Sequence, residues 1–211
     1  MAHPGAWAAL FLLGAYHGIN PGMGWLFAVA LGIQEKRAQA VVRSLMPIAL
    51  GHAIAIGVVV LLAGLVQIVL PLHYLKIAVA GALLTLGLYR IVRGRHFRWG
   101  GMQVGFRELT IWSFLMASAH GAGLMVLPLV LGLTSASMPA GHEMHGNNPR
   151  DLLTGIWATL VHTIGYLTLT AVVALIVYQK LGLALLRKAW FNLDLIWVVA
   201  LIATGGFALT M

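Results

Sequence analysis

Four histidines, His17, His52, His120 and His162, each lie well inside a long apolar run of this chain. By helix rise they stand roughly 10–18 Å from the start of their runs, near the middle of a bilayer. An ionisable side chain at that depth is costly, and it usually faces the bundle interior or a water-filled cavity. A single such histidine reads as an interhelical hydrogen bond. Four at similar depth point to a shared site. Neutral imidazole binds nickel, cobalt, copper or zinc, relays protons near neutral pH, or ligates haem iron.

The segment around the first of them, Ala15-Tyr16-His17-Gly18-Ile19-Asn20-Pro21-Gly22-Met23-Gly24, carries most of the remaining chemistry. Asn20 follows His17 by three residues and shares its helix face if the helix continues that far. Pro21, Gly22 and Gly24 should break the helix there, and broken backbone at that depth is tolerated only where it is buried in protein or lines a cavity. The amides of Gly22, Met23 and Gly24 would open a new half-helix whose positive end favours an anion or a carbonyl. Met23 and Met125 are soft candidate metal ligands, with core packing as their ordinary role. Thr163 and Tyr166 extend the polar surface beside His162 or hydrogen-bond between helices.

These residues need a scaffold, and the composition says which kind. Of 211 residues, 61% are hydrophobic and 9% charged, the signature of a polytopic membrane protein whose partner is the lipid bilayer. With no cysteine in the chain, disulfides, thiolate metal sites and iron–sulfur clusters are excluded. Six spans are expected: Ala6–Ile33, Leu45–Leu70, Tyr74–Val92, Leu109–Leu133, Leu152–Tyr178 and Leu193–Met211. A partly amphipathic connection, Lys180–Trp190, precedes the last. The first run lacks the basic start and small-residue cleavage site of a signal peptide, so it is expected to be a retained span.

The net charge of +8 reflects topology rather than nucleic-acid binding. Lys36, Arg37, Arg43, Arg90, Arg93, Arg95, Arg98, Arg107, Lys180, Arg187 and Lys188 fall on one side of the six-span plan, and only Lys76 and Arg150 on the other. This asymmetry expects both termini on the non-cytoplasmic side of a membrane, by expectation a bacterial inner membrane. The loop Ser135–Asp151 would face outward, and its His142, Glu143, Met144 and His145 have the look of a metal-capturing tract.

The two halves resemble each other. His17-Gly18 matches His120-Gly121, His52 matches His162, and Thr85 with Gly87 matches Thr204 with Gly206, at offsets of 103, 110 and 119 that grow as loops lengthen. Three spans per copy is an odd number, so the copies must be inverted. The expected fold is one all-α membrane domain over residues 1–211, a 3+3 inverted repeat (about 6–92 and about 109–211) with a broken first helix. Inverted repeats meeting at broken helices are a transporter signature, with the site near the midplane.

In the six-span plan, the His17–Gly24 segment and His52, the chain resembles the LysE-type superfamily of small transporters, which includes the nickel/cobalt permeases and related efflux proteins. The permeases carry a histidine early in a helix, followed by an acidic residue and a second histidine. Only His17 matches that pattern, and Asn20 stands near the acidic position. The resemblance implies the fold and a transport function.

No Asp or Glu lies inside any span, and Asp194 is at the edge of the sixth. A dication held by imidazoles alone is poorly compensated in a low dielectric, and calcium or magnesium is excluded as cargo. The leading expectation is a secondary transporter of a transition-metal ion, with His17, Asn20, His52, His120 and His162 lining its site. A small anion or organic solute is the alternative cargo, and a bis-histidine b-type haem electron carrier the alternative class. No Gly-x-Ser-x-Gly elbow, paired intramembrane carboxylates or dense histidine boxes occur, so no enzyme is expected. Association into a homo-oligomer is left open.

Overall fold

A computed structural model of the chain describes residues 4–67, 71–93, 105–135, 149–181 and 193–210. These form eight helices and no strand: α1 Pro4–Ile19, α2 Trp25–Glu35, α3 Ala38–Val66, α4 Leu72–Arg93, α5 Phe106–Ala119, α6 Ala122–Ser135, α7 Pro149–Ile176 and α8 Leu193–Thr210. A 3-10 turn, Pro21–Met23, separates α1 from α2, and a π turn, Val177–Leu181, continues α7. The tract around His142 and His145, the basic residues Arg95, Arg98, Arg187 and Lys188, and most of the Lys180–Trp190 connection lie outside the described residues.

Among the described residues two helical stretches are long and apolar enough to cross a membrane, Ala38–Val66 and Leu152–Lys180. The pair Phe106–Ala119 and Ala122–Thr134, bent by 65°, makes a third if it is one broken span. At 29 residues, α3 is roughly 43 Å long, more than the roughly 30 Å of hydrocarbon it would have to cross. Shorter apolar helices run Trp25–Glu35, His73–Tyr89 and Val198–Leu209.

The polarity of α3 and α7 is that of membrane helices. On α7, Leu152, Leu153, Ile156, Trp157, Leu160 and Ile164 are exposed, while Thr159, His162, Tyr166 and Thr170 are buried. On α3, Met46, Leu50, Ile54, Val58, Leu61 and Leu65 are exposed, while Ser44, Gly51 and His52 are buried. Both inner stripes follow the three-and-four spacing of one helix face. Apolar residues outward and polar residues inward suit a lipid surround, where continuous exposed apolar surface costs nothing.

Two helix pairs carry the deepest packing. Extensive contact joins α1 to α7, and α5 to α3; α4 packs along α8, and α3 crosses α7 at the centre. Glycines permit the approach. A methyl on Gly14 or Gly18 of α1 would run into the α7 backbone at His162, Tyr166 and Thr170; one on Gly165 of α7 would meet Phe11 and Ala15 of α1. Likewise a methyl on Gly51 of α3 would meet Thr110 and Phe114 of α5. Small residues at such crossings are how membrane helices gain van der Waals contact. At one end, Arg43 of α3 pairs with Glu35 of α2 at 2.7 Å, an exposed contact of little energetic weight.

The expected break in the first span is present and complete: α1 stops at Ile19 and α2 starts at Trp25. The fourth span, expected as one run over Leu109–Leu133, is not continuous. It breaks at His120-Gly121, where Gly121 has φ +72°, a conformation that a Cβ disfavours. A side chain there would also meet Leu86 of α4 at 2.9 Å.

Candidate functional site

His17, His52 and His162 come together from α1, α3 and α7. All three are fully buried. Ring centroids are 4.9 Å apart for His17 and His162, 5.6 Å for His17 and His52, and 5.5 Å for His52 and His162. The His52 and His162 planes are parallel within 4°, and His17 stands edge-on to both. Tyr166, one turn beyond His162, stacks on His52 at 3.8 Å and 10°.

Each element delivers its histidine for a local reason. On α3 and α7 the histidine occupies the inner stripe, next to Gly51 in one case and three residues before Gly165 in the other, so the ring enters where helices are closest. On α1 the ring is oriented by its own backbone. His17 Nδ1 lies 2.7 Å from the Leu13 carbonyl, and His120 Nδ1 lies 2.7 Å from the Met116 carbonyl, the same four-residue step in both. A carbonyl only accepts, so each Nδ1 carries the proton. In the neutral ring Nε2 then becomes the lone-pair nitrogen, as in histidines oriented for metal binding. Neither nitrogen of His52 or of His162 has a hydrogen bond of acceptable geometry, although the Leu10 carbonyl faces His162. Buried polar atoms without partners are uncommon, and they are costly where no water replaces the bond.

His120 stands at the second break, buried, with its Cε1 4.0 Å from the direction a Gly22 side chain would take and within electrostatic reach of His17. It therefore faces the break between α1 and α2 from the break between α5 and α6.

That break is a closed hydrogen-bonded structure. Asn20 N–H donates to His17 O (3.2 Å), Met23 N–H to Asn20 O (3.0 Å) and Gly24 N–H to Pro21 O (3.4 Å). Gly22 N–H donates to Asn20 Oδ1 at 2.9 Å, and Trp25 Nε1–H to Ile19 O at 2.9 Å. The Tyr166 hydroxyl donates to the Met23 carbonyl. One expectation is corrected here. The amides of Gly22, Met23 and Gly24 are consumed internally, so they do not form an open anion-binding end. The Asn20 side-chain oxygen caps the turn. Gly24 itself has φ +134°, and a Cβ there would lie 2.6 Å from Ile48 Cγ2.

Met23 and Met125 lie in the main apolar core, together with Val29, Ile48, Leu83 and Leu201. Their side chains pack with that core.

A tetrahedral ion with nitrogen ligands at about 2.0–2.1 Å would hold imidazole centroids roughly 5 Å apart. The triangle of His17, His52 and His162 has that size. Its orientation differs: among the described residues, no three His, Cys, Asp or Glu side chains are arranged to hold a metal ion. The rings touch one another face and edge, so loading a cation requires them to turn until their nitrogens converge. A porphyrin plane has no room between any two of the three rings as they are packed.

Sequence reasoning missed the second break and the Tyr166 hydrogen bond to Met23. The first had a visible signal, the repeated His-Gly pair; the second joins residues 143 positions apart and had none.

Comparison with known protein families, with characterised proteins and with solved structures finds no match.

Proposed function

We propose that the chain is a membrane transporter of the LysE type, whose cargo is a transition-metal ion taken up by His17, His52 and His162, with His120 approaching through the two breaks. The observation that carries this reading is the meeting of three fully buried imidazoles from three helices, 4.9–5.6 Å apart, beside a broken helix. Borderline-soft ions suit nitrogen donors, and neutral rings suit an ion that must leave again as readily as it enters. An anion is less well served, because the half-helix amides are already engaged.

Six spans in a 3+3 inverted repeat give the site its mechanism, and four observations support that plan. The main helix pairs interchange correctly when the halves are swapped: α1 with α7 answers to α5 with α3, while α4 with α8 and α3 with α7 map onto themselves. His17 and His120 orient their rings by the same step. Thr85 and Thr204 each donate to the carbonyl four residues back, Gly81 at 2.6 Å and Ala200 at 2.8 Å. Each His-Gly pair lies at a helix break, His17-Gly18 just before one and His120-Gly121 within one. Alternating access then means rocking one half on the other about a fixed midplane site. The charge asymmetry orients both termini away from the cytoplasm; a C-terminal reporter reachable only from the cytoplasm would overturn this.

The test is flux. Purified protein in liposomes is expected to carry Ni²⁺, Co²⁺ or Zn²⁺ to an internal indicator, and His17→Ala or His120→Ala should abolish this while leaving insertion intact. Wild-type flux in either variant would remove the central site from the mechanism.

A further inference from the structure

Tyr166 is the largest fully buried side chain of the described chain, and it touches both halves of the problem. Its ring covers His52, and its hydroxyl donates to the Met23 carbonyl inside the broken segment. That carbonyl has no backbone donor among the described residues, because the Phe27 and Ala28 amides both go to Gly24 O, at 3.0 and 3.2 Å. A buried carbonyl in an apolar surround needs a partner, and the tyrosine supplies it. The tyrosine's own backbone is held against α1, where methyls on Gly14 or Gly18 would strike it. Moving α7 closer to α1 is therefore blocked, and rotating the ring breaks the hydroxyl bond. His52, by contrast, has no hydrogen bond to hold it in place.

We propose that Tyr166 is a positioning residue that latches the broken segment to His52, so that turning the His52 ring withdraws the tyrosine hydroxyl from Met23 and frees α2 to move against the bundle. The latch deepens the transport reading and rests on it only for what turns the ring: a cation drawing the His52 nitrogen toward His17 and His162.

The chain is naturally free of cysteine, so spin labels can be placed at will. Nitroxides at Gln34→Cys, in the last turn of α2, and Phe106→Cys, at the start of α5, report the position of α2 in the full-length protein in lipid nanodiscs. Tyr166→Phe keeps the ring and its volume and removes the hydroxyl. Without metal, its label distances are expected to broaden or shift by roughly 2 Å or more, the scale of helix displacements in switching proteins. His52→Ala, which removes the stacking partner, is expected to move them in the same sense. Zn²⁺ binding by Tyr166→Phe should be tighter than wild type, by up to about tenfold, because no ligand is lost and turning His52 no longer breaks the hydroxyl bond. Metal-free distances in Tyr166→Phe identical to wild type would overturn the latch, and unchanged distances in His52→Ala would overturn its link to the histidine. A wild type that binds no Zn²⁺ while Tyr166→Phe still shifts would sustain the latch and sink the metal reading.

Discussion

Gly14→Ala tests the idea that the site depends on how closely α1 meets α7. A methyl at Gly14 would overlap the His162 carbonyl oxygen and lie 2.9 Å from both His162 C and Tyr166 N. Ordinary carbon contacts fall at about 3.5–4.0 Å, and the overlap with the carbonyl oxygen is the tightest of the three, so the helices must part by more than about 1 Å. All three atoms are backbone, and none can rotate away. Overpacking costs about 1–3 kcal/mol, and rigid neighbours put this site in the upper half of that range. Removing a mid-helix glycine returns about 0.5–1 kcal/mol. The net loss is about 1–2.5 kcal/mol, equivalent to roughly 2–10 °C in apparent Tm for a chain of this length. The same parting separates His17 from His162, now 4.9 Å apart, and should weaken metal binding by about 10–100-fold, as disturbing the shell around ligands does. Gly165→Ala opens the same interface against Phe11, so the double variant should lose less than the two singles together. Gly57→Ala, with no atom within 4 Å of its methyl, is the control and should gain stability. The assay is thermal unfolding in detergent with parallel metal titration. A Gly14→Ala protein as stable and as competent as Gly57→Ala would refute the close-packing argument.

Other changes separate backbone from side-chain effects. Gly24→Ala places a Cβ at φ +134° and 2.6 Å from Ile48 Cγ2; strain alone costs of order 1–3 kcal/mol, and thermal unfolding should show a loss at least as large as for Gly14→Ala. Ser113→Ala removes the buried bond to the Ile48 carbonyl, 2.6 Å long, which joins α5 to α3 one turn from His52. It should cost about 1 kcal/mol by the same unfolding assay, and because Ser113 also meets the Tyr166 side chain it should alter metal binding less than His52→Ala does.

The helical membrane character, the inward histidines and the break at Pro21 were legible because each rests on local chemistry: apolar runs, an ionisable group where none is cheap, and a proline among glycines. The break at Gly121 was legible only by analogy with Gly18, since no proline marks it and other glycines of the chain, such as Gly57 and Gly81, lie inside continuous helices. The closing of the first break on itself was not legible. Asn20 reads as a site residue on the face of His17; that its side-chain oxygen also caps the turn, 2.9 Å from the Gly22 amide, depends on how the chain turns after Ile19. Met23 and Met125 read as soft candidate ligands with core packing as their ordinary role, and both lie in the core. Tyr166 reads as an extension of the face of His162; that it stacks on His52 instead depends on the angle at which α3 crosses α7.

The most direct measurement of the central claim is a Co²⁺ titration of the purified protein, followed by visible absorption, on wild type, His52→Ala, His162→Ala and a His142→Ala, His145→Ala control. A buried three-imidazole site predicts a saturable d–d spectrum of low-symmetry cobalt in wild type and in the outer-loop control, lost in both cluster variants. A wild type with no such spectrum, or one that survives both His52→Ala and His162→Ala, would contradict the claim that these histidines take up a metal ion.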